Sequence, residues 1–316
     1  KKNLPLISKQ ICTQDVLNLL QDNYGVIGTK WITHQMDWIN DIYLSFKDHD
    51  KFLIIIYLIK KTLDFYSRNF TKVSFDEFYS QNIIEIEKFN VIEISEYLNI
   101  PKESARRKIV ELENSLIIKR VKRKITLDRS AFAFAKPTNS IVRISRFLAS
   151  FSKILEDNKI ISKQISSERL EKVIKNNYFY AWNLYYELQI PMVQGYKKFF
   201  GDIETFHIFG TCVVNQHLNS KKIYEKKVNR KNFFQSFSQK EMRGINAMTI
   251  SDITGIPRAT VVRKLKALLK KKFLIIDDKK HYKITDNVVK LLGPLQNIVL
   301  KQLADFSTKI YNLVIL

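Results

Sequence analysis

The sequence contains little cysteine and little glycine. Its two cysteines, Cys12 and Cys212, lie in opposite halves of the chain, which excludes a disulfide framework and a zinc site built from paired cysteines. None of the eight glycines is spaced to form a P-loop or a dinucleotide-binding fingerprint. The sparse cysteine predicts a reducing, cytoplasmic compartment.

Long apolar runs are also absent. The longest, residues 52–59, is far shorter than the roughly 20 residues that a membrane-spanning helix requires. Residues 1–10 lack the apolar segment of a signal peptide. We therefore expect a soluble protein with no membrane partner.

Candidate metal ligands are few. His207, Cys212 and His217 are spaced five positions apart, which on an α-helix separates successive side chains by about 140°. Side chains so separated cannot meet at one metal ion. With no nucleotide-binding motif and no metal site, we expect no cofactor and no enzymatic activity.

Acidic residues are scarce relative to basic ones. The 316 residues include 53 Lys and Arg against 31 Asp and Glu, a formal charge of +22. Because 45% of the residues are hydrophobic, this charge decorates a folded body rather than a disordered chain. Such a balance favours a polyanionic partner, of which nucleic acid is the first candidate.

The chain contains an internal repeat. Residues 94–118 align with residues 250–274 without a gap, and the flanking helices also match. The identical pairs are Ile94/Ile250, Ser95/Ser251, Ile100/Ile256, Pro101/Pro257, Arg107/Arg263, Lys108/Lys264 and Leu112/Leu268. The repeat predicts two tandem units, residues 1–157 and residues 158–316.

Each repeated segment is typical of a helix-turn-helix followed by a β-hairpin. A short helix precedes Gly255, a residue suited to a left-handed turn, and Pro257 opens the next helix. The first copy has Asn99 in place of the glycine, and Asn tolerates this backbone region well. We expect a mainly α fold with small β-hairpin wings, the two winged units covering about residues 91–128 and 247–286 between long helices.

These residues resemble the winged helix-turn-helix transcription regulators, particularly the MarR-like and ArsR-like families. The resemblance rests on the recognition helix that follows Pro101 and Pro257, and on the hairpin that ends in Ile-Thr, over about 35 residues of each half. It implies that the long helices form a dimer-like interface. The chain would then be a single-chain pseudo-dimer, or alternatively a homodimer.

The second helix of each motif presents a polar face. Ala105, Ile109 and Leu112 share the opposite, apolar side. The side chains expected to contact double-stranded DNA from the two helices are Lys102, Ser104, Arg106, Arg107, Arg258, Thr260, Arg263 and Lys266. Arg107 and Arg263 occupy matching positions from which a guanidinium can pair with guanine.

Basic residues also cluster in the two hairpins. The winged segments together carry more than half of the net charge in fewer than a quarter of the residues. The cations expected to contact phosphate are Lys119, Arg120, Lys122, Arg123, Lys124, Lys279, Lys280 and Lys283. A basic face that is merely solvated is the alternative for any such run.

Aromatic residues concentrate in residues 178–200, with a counterpart around Trp31 and Trp38. Their spacing predicts packing between helices. A pocket for a small-molecule effector, which the resemblance to ligand-responsive regulators allows, is the alternative.

We therefore expect a sequence-specific regulator of transcription. Since the outward residues differ between the copies, as in the pair Val110 and Lys266, two unlike half-sites about 34 Å apart are predicted. A plasmid-type replication initiator with two winged-helix domains is one alternative, with many copies of one binding site. A winged-helix module that binds protein is the other, and would have no affinity for DNA.

Overall fold

The computed structural model describes residues 10–69, 73–122, 124–219, 228–235 and 243–315. This part of the chain is mainly helical, as predicted. The helices are α1 (Thr13–Asp22), α2 (Tyr24–Phe46), α3 (His49–Arg68), α4 (Phe75–Tyr79), α5 (Val91–Leu98), α6 (Lys102–Asn114), α7 (Thr138–Asp157), α8 (Ser167–Asn176), α9 (Tyr178–Phe200), α10 (Ile203–Leu218), α11 (Arg230–Gln235), α12 (Ala247–Thr254), α13 (Arg258–Lys270) and α14 (Asp286–Ile315).

Two small antiparallel sheets accompany the helices. The strands are β1 (Ile83–Ile86), β2 (Ile118–Val121), β3 (Lys124–Asp128), β4 (Leu274–Ile276) and β5 (Tyr282–Ile284). The first sheet has the order β1-β3-β2, and the second pairs β4 with β5. A single bridge between Ile245 and Tyr282 lies beside β5, much as β1 lies beside β3. The small hairpins expected from the sequence are confirmed, whereas β1 was not predicted.

The core lies between long helices from both halves of the chain. Helix α3 packs against α9, and α2 packs against α10. Helix α1 packs against α14, which brings the two ends of the chain together, and α8 packs against α7 near the middle of the chain. The apolar run of residues 52–59 is buried on all sides because α3 contacts α2, α9 and the α5–α6 pair. The two halves are thus interleaved rather than laid side by side.

Matching caps begin and end corresponding helices in the two halves. Asn23 separates α1 from α2, and Asn177 separates α8 from α9. Asp48 caps α3 by accepting from backbone N–H groups, and Asp202 caps α10 in the same way. Asp and Asn are favoured at such positions because their oxygens accept from the free amides of the first turn. These positions are equivalent at an offset of 154 residues (177 minus 23, and 202 minus 48).

The apolar spacing of residues 287–316 predicts a long final helix, and the structure has α14 there, beginning at Asp286. The same pattern predicts Pro294 in a first turn, as a counterpart of Pro137, which directly precedes α7. That second prediction is wrong, because Pro294 lies inside α14. The apolar residues Val288 and Leu292 are buried and extend the helix toward β5, which outweighs the hydrogen bond that a proline removes.

Within the described residues, no helix combines the length and the apolar character needed to cross a bilayer.

Candidate nucleic-acid interface

Two helix pairs with the same backbone turn carry the predicted site residues. Helices α5 and α6 are joined through Asn99, and α12 and α13 through Gly255, both with left-handed backbone angles (φ 49° and 67°). Ser95 Oγ donates to the carbonyl of Ile100 at 2.7 Å, and the equivalent Ser251 hydroxyl makes the same bond at 2.7 Å. The turn predicted from glycine and asparagine is confirmed, and in each copy a serine hydroxyl fixes it.

The apolar face of each second helix is buried, which fixes the face that points outward. Ala105, Ile109 and Leu112 are buried in α6, as predicted. The buried residues of α13 are Val261, Leu265 and Leu268, which occupy the equivalent positions. Because these faces pack against α3 and α10 respectively, the basic faces of α6 and α13 are left to solvent.

A lysine on each of these helices is tied to the helix behind it. Lys108 of α6 forms an ion pair with Asp48, the residue that caps α3. Lys264 of α13 forms an ion pair with Asp202, the cap of α10. Only 12% of each lysine side chain is exposed. The repeated lysine therefore orients the helix and is withdrawn from any ligand.

Hydrogen bonds shift the titration of one of these carboxyls. Burial alone would raise the pKa of Asp202, but the bonds it accepts from Lys264 and from Thr205 outweigh burial and hold that pKa below its usual value. The carboxylate is therefore charged at neutral pH, as an ion pair requires.

Most of the predicted contact residues lie on the surface. The exposed ones are Lys102, Arg106, Arg107, Arg120, Lys122, Lys124, Arg258, Arg263, Lys266, Lys279 and Lys280, and the half-buried ones are Ser104, Lys119, Thr260 and Lys283. Arg123 lies outside the described residues. Surface placement is necessary for a contact with DNA, and these residues satisfy it.

Acidic neighbours neutralise much of the first hairpin. Arg120 Nε lies 2.6 Å from Glu113 Oε1, and Lys124 Nζ lies 2.8 Å from Glu85 Oε2. Lys119 is 3.4 Å from Asp128. These partners were not predicted, because two of the three acids, Glu85 and Glu113, belong to other elements that only the fold brings near the hairpin. The first hairpin is consequently a weaker electrostatic site than its sequence implies.

The second motif keeps more of its charge. Helix α13 contains five cations and no acidic residue, and its exposed Arg258, Arg263 and Lys266 make no ion pair within the described part of the chain. In α6, by contrast, Arg107 lies 3.8 Å from Glu111, one turn away. The two basic faces therefore differ in strength as well as in sequence.

The hairpin tips place further cations in solvent. Lys122 and Lys280 both have left-handed backbone angles, as tight turns between antiparallel strands require. In the second hairpin, Asp277 Oδ1 accepts from the backbone N–H groups of Lys279 and His281. This turn leaves the side chains of Lys279 and Lys280 exposed and, within the described chain, without an ion pair.

The two residues that position this surface, Asp48 and Asp202, were not predicted from the sequence. Asp48 and Asp202 each follow a helix end and precede an apolar helix, which is the pattern of an N-cap. That pattern could have identified them as caps. It could not have shown that each also binds the lysine of the helix in front of it, because the pairs are 60 and 62 residues apart.

In the residues described, this surface exposes cations on two helices and at two hairpin tips, as an anion-binding face requires. No group of three or more His, Cys, Asp or Glu side chains there could hold a metal ion. No family model, curated protein or solved structure matches the chain.

Proposed function

We propose that the chain binds double-stranded DNA sequence-specifically and acts as a regulator of transcription. In this proposal α5–α6 with the first hairpin, and α12–α13 with the second, are two winged helix-turn-helix units related by duplication. Each inserts its second helix into the major groove and sets its hairpin against the phosphate backbone.

The observation that carries the proposal is the exposed basic face of α13. Arg258, Arg263 and Lys266 project from a helix whose opposite face is buried and whose sequence lacks acidic residues. Arginine can pair bidentately with guanine at the floor of the major groove. Recognition of a DNA sequence requires cations that are fixed on one helix face rather than scattered over the surface.

The repeated architecture supports a single chain that contacts two half-sites. The turn, its serine bond and the Lys–Asp ion pair all occur twice, so that both second helices are held by the same means. Their outward residues differ, which predicts an asymmetric site with halves about 34 Å apart. One copy of the chain would then bind both half-sites, which other helix-turn-helix proteins bind as dimers.

The proposal is tested by measuring affinity for duplex DNA. Purified protein is incubated with a random duplex pool at about 150 mM salt, bound molecules are selected, and the affinity of the enriched duplex is followed as salt increases. We expect an enriched two-part sequence and an affinity that falls steeply with salt. If the DNA beside the coding gene contains many tandem copies of the enriched sequence, a replication initiator is favoured instead. Absence of binding would favour a protein-binding module.

A further inference from the structure

A cavity lies between the long helices and the second hairpin. It has a volume of about 70 Å³ and is lined by α2, α9, α10, β5 and α14. The lining side chains are apolar except for a few polar groups, among them Gln35, His217 and Gln296. A small apolar cavity with a few convergent polar groups is the usual form of a ligand site.

Gln35 is the polar residue that distinguishes this cavity. Its side chain lines the cavity and is 4% exposed, yet neither its Nε2 nor its Oε1 has a hydrogen-bond partner among the described residues. A buried amide left unpaired is destabilising, so such groups are rare in folded proteins. One donor and one acceptor side by side therefore remain for a molecule within the cavity.

The other half of the chain shows how this amide lost its protein partner. Gln189 corresponds to Gln35 at the offset of 154 residues, and its Nε2 donates to Tyr185 Oη at 2.6 Å. The residue that corresponds to Tyr185 is Trp31, which has no hydroxyl. The tyrosine that accepts from Gln189 Nε2 is thus replaced beside Gln35, so that Gln189 leaves only its Oε1 unpaired whereas Gln35 leaves both atoms unpaired.

A second replacement opens the same cavity. Gly210 of α10 corresponds to Ile56 of α3 at the same offset. A Cβ atom at Gly210 would clash with Met36 Sδ, so glycine here allows Met36 to occupy its position at the cavity wall. The cavity at the equivalent place in the other half, beside Phe52, Ile55 and Ile56, measures only about 30 Å³.

The lining carries no charge at neutral pH. Burial lowers the pKa of His217 to about 3, which keeps its imidazole neutral. Burial raises the pKa of Tyr24 to about 12, although the nearby Arg230 opposes that shift. An uncharged ligand is therefore preferred, because an ion would lose its hydration without a counter-charge in the lining.

We propose that this cavity binds a small uncharged molecule that has an apolar body and one amide group, with the side-chain amide of Gln35 as its hydrogen-bond partner. An amide whose N–H and C=O lie on the same side, as in a lactam or a primary carboxamide, satisfies both unpaired atoms of Gln35. The ligand also contacts Ile284 of β5, whose N–H donates to Gln216 Oε1 at 2.7 Å. Binding at this cavity requires no DNA.

The size of the cavity sets the size of the probe. A cavity of about 150 Å³ accepts benzene, so one of about 70 Å³ accepts a five-membered ring with one substituent only when its walls adjust. Met36 and Met192 belong to the wall, and the flexible methionine side chain adapts to irregular contents. The probe chosen is 2-pyrrolidinone, with cyclopentanone and cyclopentane as rings of equal size that lack the donor or both polar groups.

The chain contains only four methionines, so methyl resonances report the site directly. Protein labelled at the methionine methyl groups is titrated with each probe to about 10 mM. We expect the Met36 and Met192 resonances to shift with 2-pyrrolidinone and to saturate. Binding should be about tenfold weaker for cyclopentanone, which loses one hydrogen bond, and weaker still for cyclopentane, which loses both. Met248, which is 54% exposed on α12, serves as the internal control.

Two variants separate a specific site from a simple void. Gln35→Leu removes the unpaired amide, keeps the volume and should fold well; we expect it to bind the three rings equally. The matched Gln189→Leu should retain the preference for 2-pyrrolidinone. The proposal is overturned if the Met36 and Met192 resonances do not shift or if wild-type protein binds the three rings equally. It is also overturned if Gln35→Leu keeps the preference for 2-pyrrolidinone. Any of these results would mean that Gln35 does not select an amide in this cavity.

Discussion

Asp48 and Asp202 are the residues on which the placement of the basic helices depends. Each accepts backbone hydrogen bonds at the start of a helix and binds the lysine of a helix in front of it. A negative charge is favourable at a helix N-terminus for the same reason that it attracts lysine. One carboxylate therefore joins the supporting helix to the helix that presents the basic face.

The pH dependence of stability follows from Asp202. Its pKa is lower in the folded protein than its ordinary value, so its contribution to stability is fully present above the ordinary value and is lost as pH falls through the lowered one. We expect Asp202→Asn to reduce the free energy of unfolding by about 1 kcal/mol at neutral pH, a typical value for a charge at a helix N-terminus that also forms a partly exposed ion pair. The difference from wild type should shrink below about pH 4.

Urea unfolding at several pH values measures this effect. Thr205 supplies the N–H that Asp202 caps, and Asn can still accept that bond, so the loss isolates the charge. Asp252→Asn, an exposed substitution on α12, is the control for the same change in net charge. A constant difference between wild type and Asp202→Asn down to the acid transition would show that the ion pair contributes nothing.

At the scale of single elements, the turn between the two short helices was the most predictable feature. Gly255 and Asn99 both indicated a left-handed turn, and the structure has that conformation at both positions. Strand β1 was missed because its burial alternates weakly and only Ile86 is buried. The residue type alone indicates a left-handed turn, whereas an edge strand with exposed side chains shows little alternation of apolar and polar residues.

The turn yields a prediction about substitution at Gly255. Gly255→Asn should change the free energy of unfolding by less than about 1 kcal/mol, because Asn99 adopts the equivalent conformation. Gly255→Val should destabilise by about 2 kcal/mol, since a β-branched residue is strained at positive φ. The control is Ile253→Val at a neighbouring exposed position on α12. Equal stabilities for the Asn and Val variants in urea unfolding would refute the backbone argument.

The two hairpins should contribute unequally to DNA binding. Lys280→Ala should lower the magnitude of the salt slope by about one, the expected loss for one phosphate contact. Lys124→Ala should lower it less, because Glu85 already neutralises that lysine at 2.8 Å. Fluorescence anisotropy of a labelled duplex over a salt series measures both slopes. A larger effect for Lys124→Ala would contradict this assignment.

At the scale of the whole molecule, the halves share one core. Helix α9 packs on α3 and α2 packs on α10, so each half covers apolar surface of the other. The repeat at residues 94–118 and 250–274 was visible in the sequence. The interleaving was not, because contacts between distant segments leave no periodicity, and the corresponding α1–α2 and α8–α9 helices keep few identities beyond their caps.

The shared core predicts that the halves stay together when the chain is cut. A protease site inserted after Asn158, which is exposed at the end of α7, should be cleaved without separating the products. The nicked protein should elute as one species in native size-exclusion chromatography and dissociate only in denaturant. Separation into two folded halves under native conditions would refute the interleaved core.

The central claim is that two unlike helices read the two halves of one DNA site. It is tested most directly by selecting duplexes from a random pool with wild-type protein, Arg107→Ala and Arg263→Ala, at about 150 mM salt. The account predicts a two-part asymmetric site for wild type. Each variant should lose sequence preference in a different half of that site. Arg263→Ala should lose about 1–3 kcal/mol of binding free energy, more than Arg107→Ala loses. A perfect palindrome, or a site that neither variant alters, would contradict it.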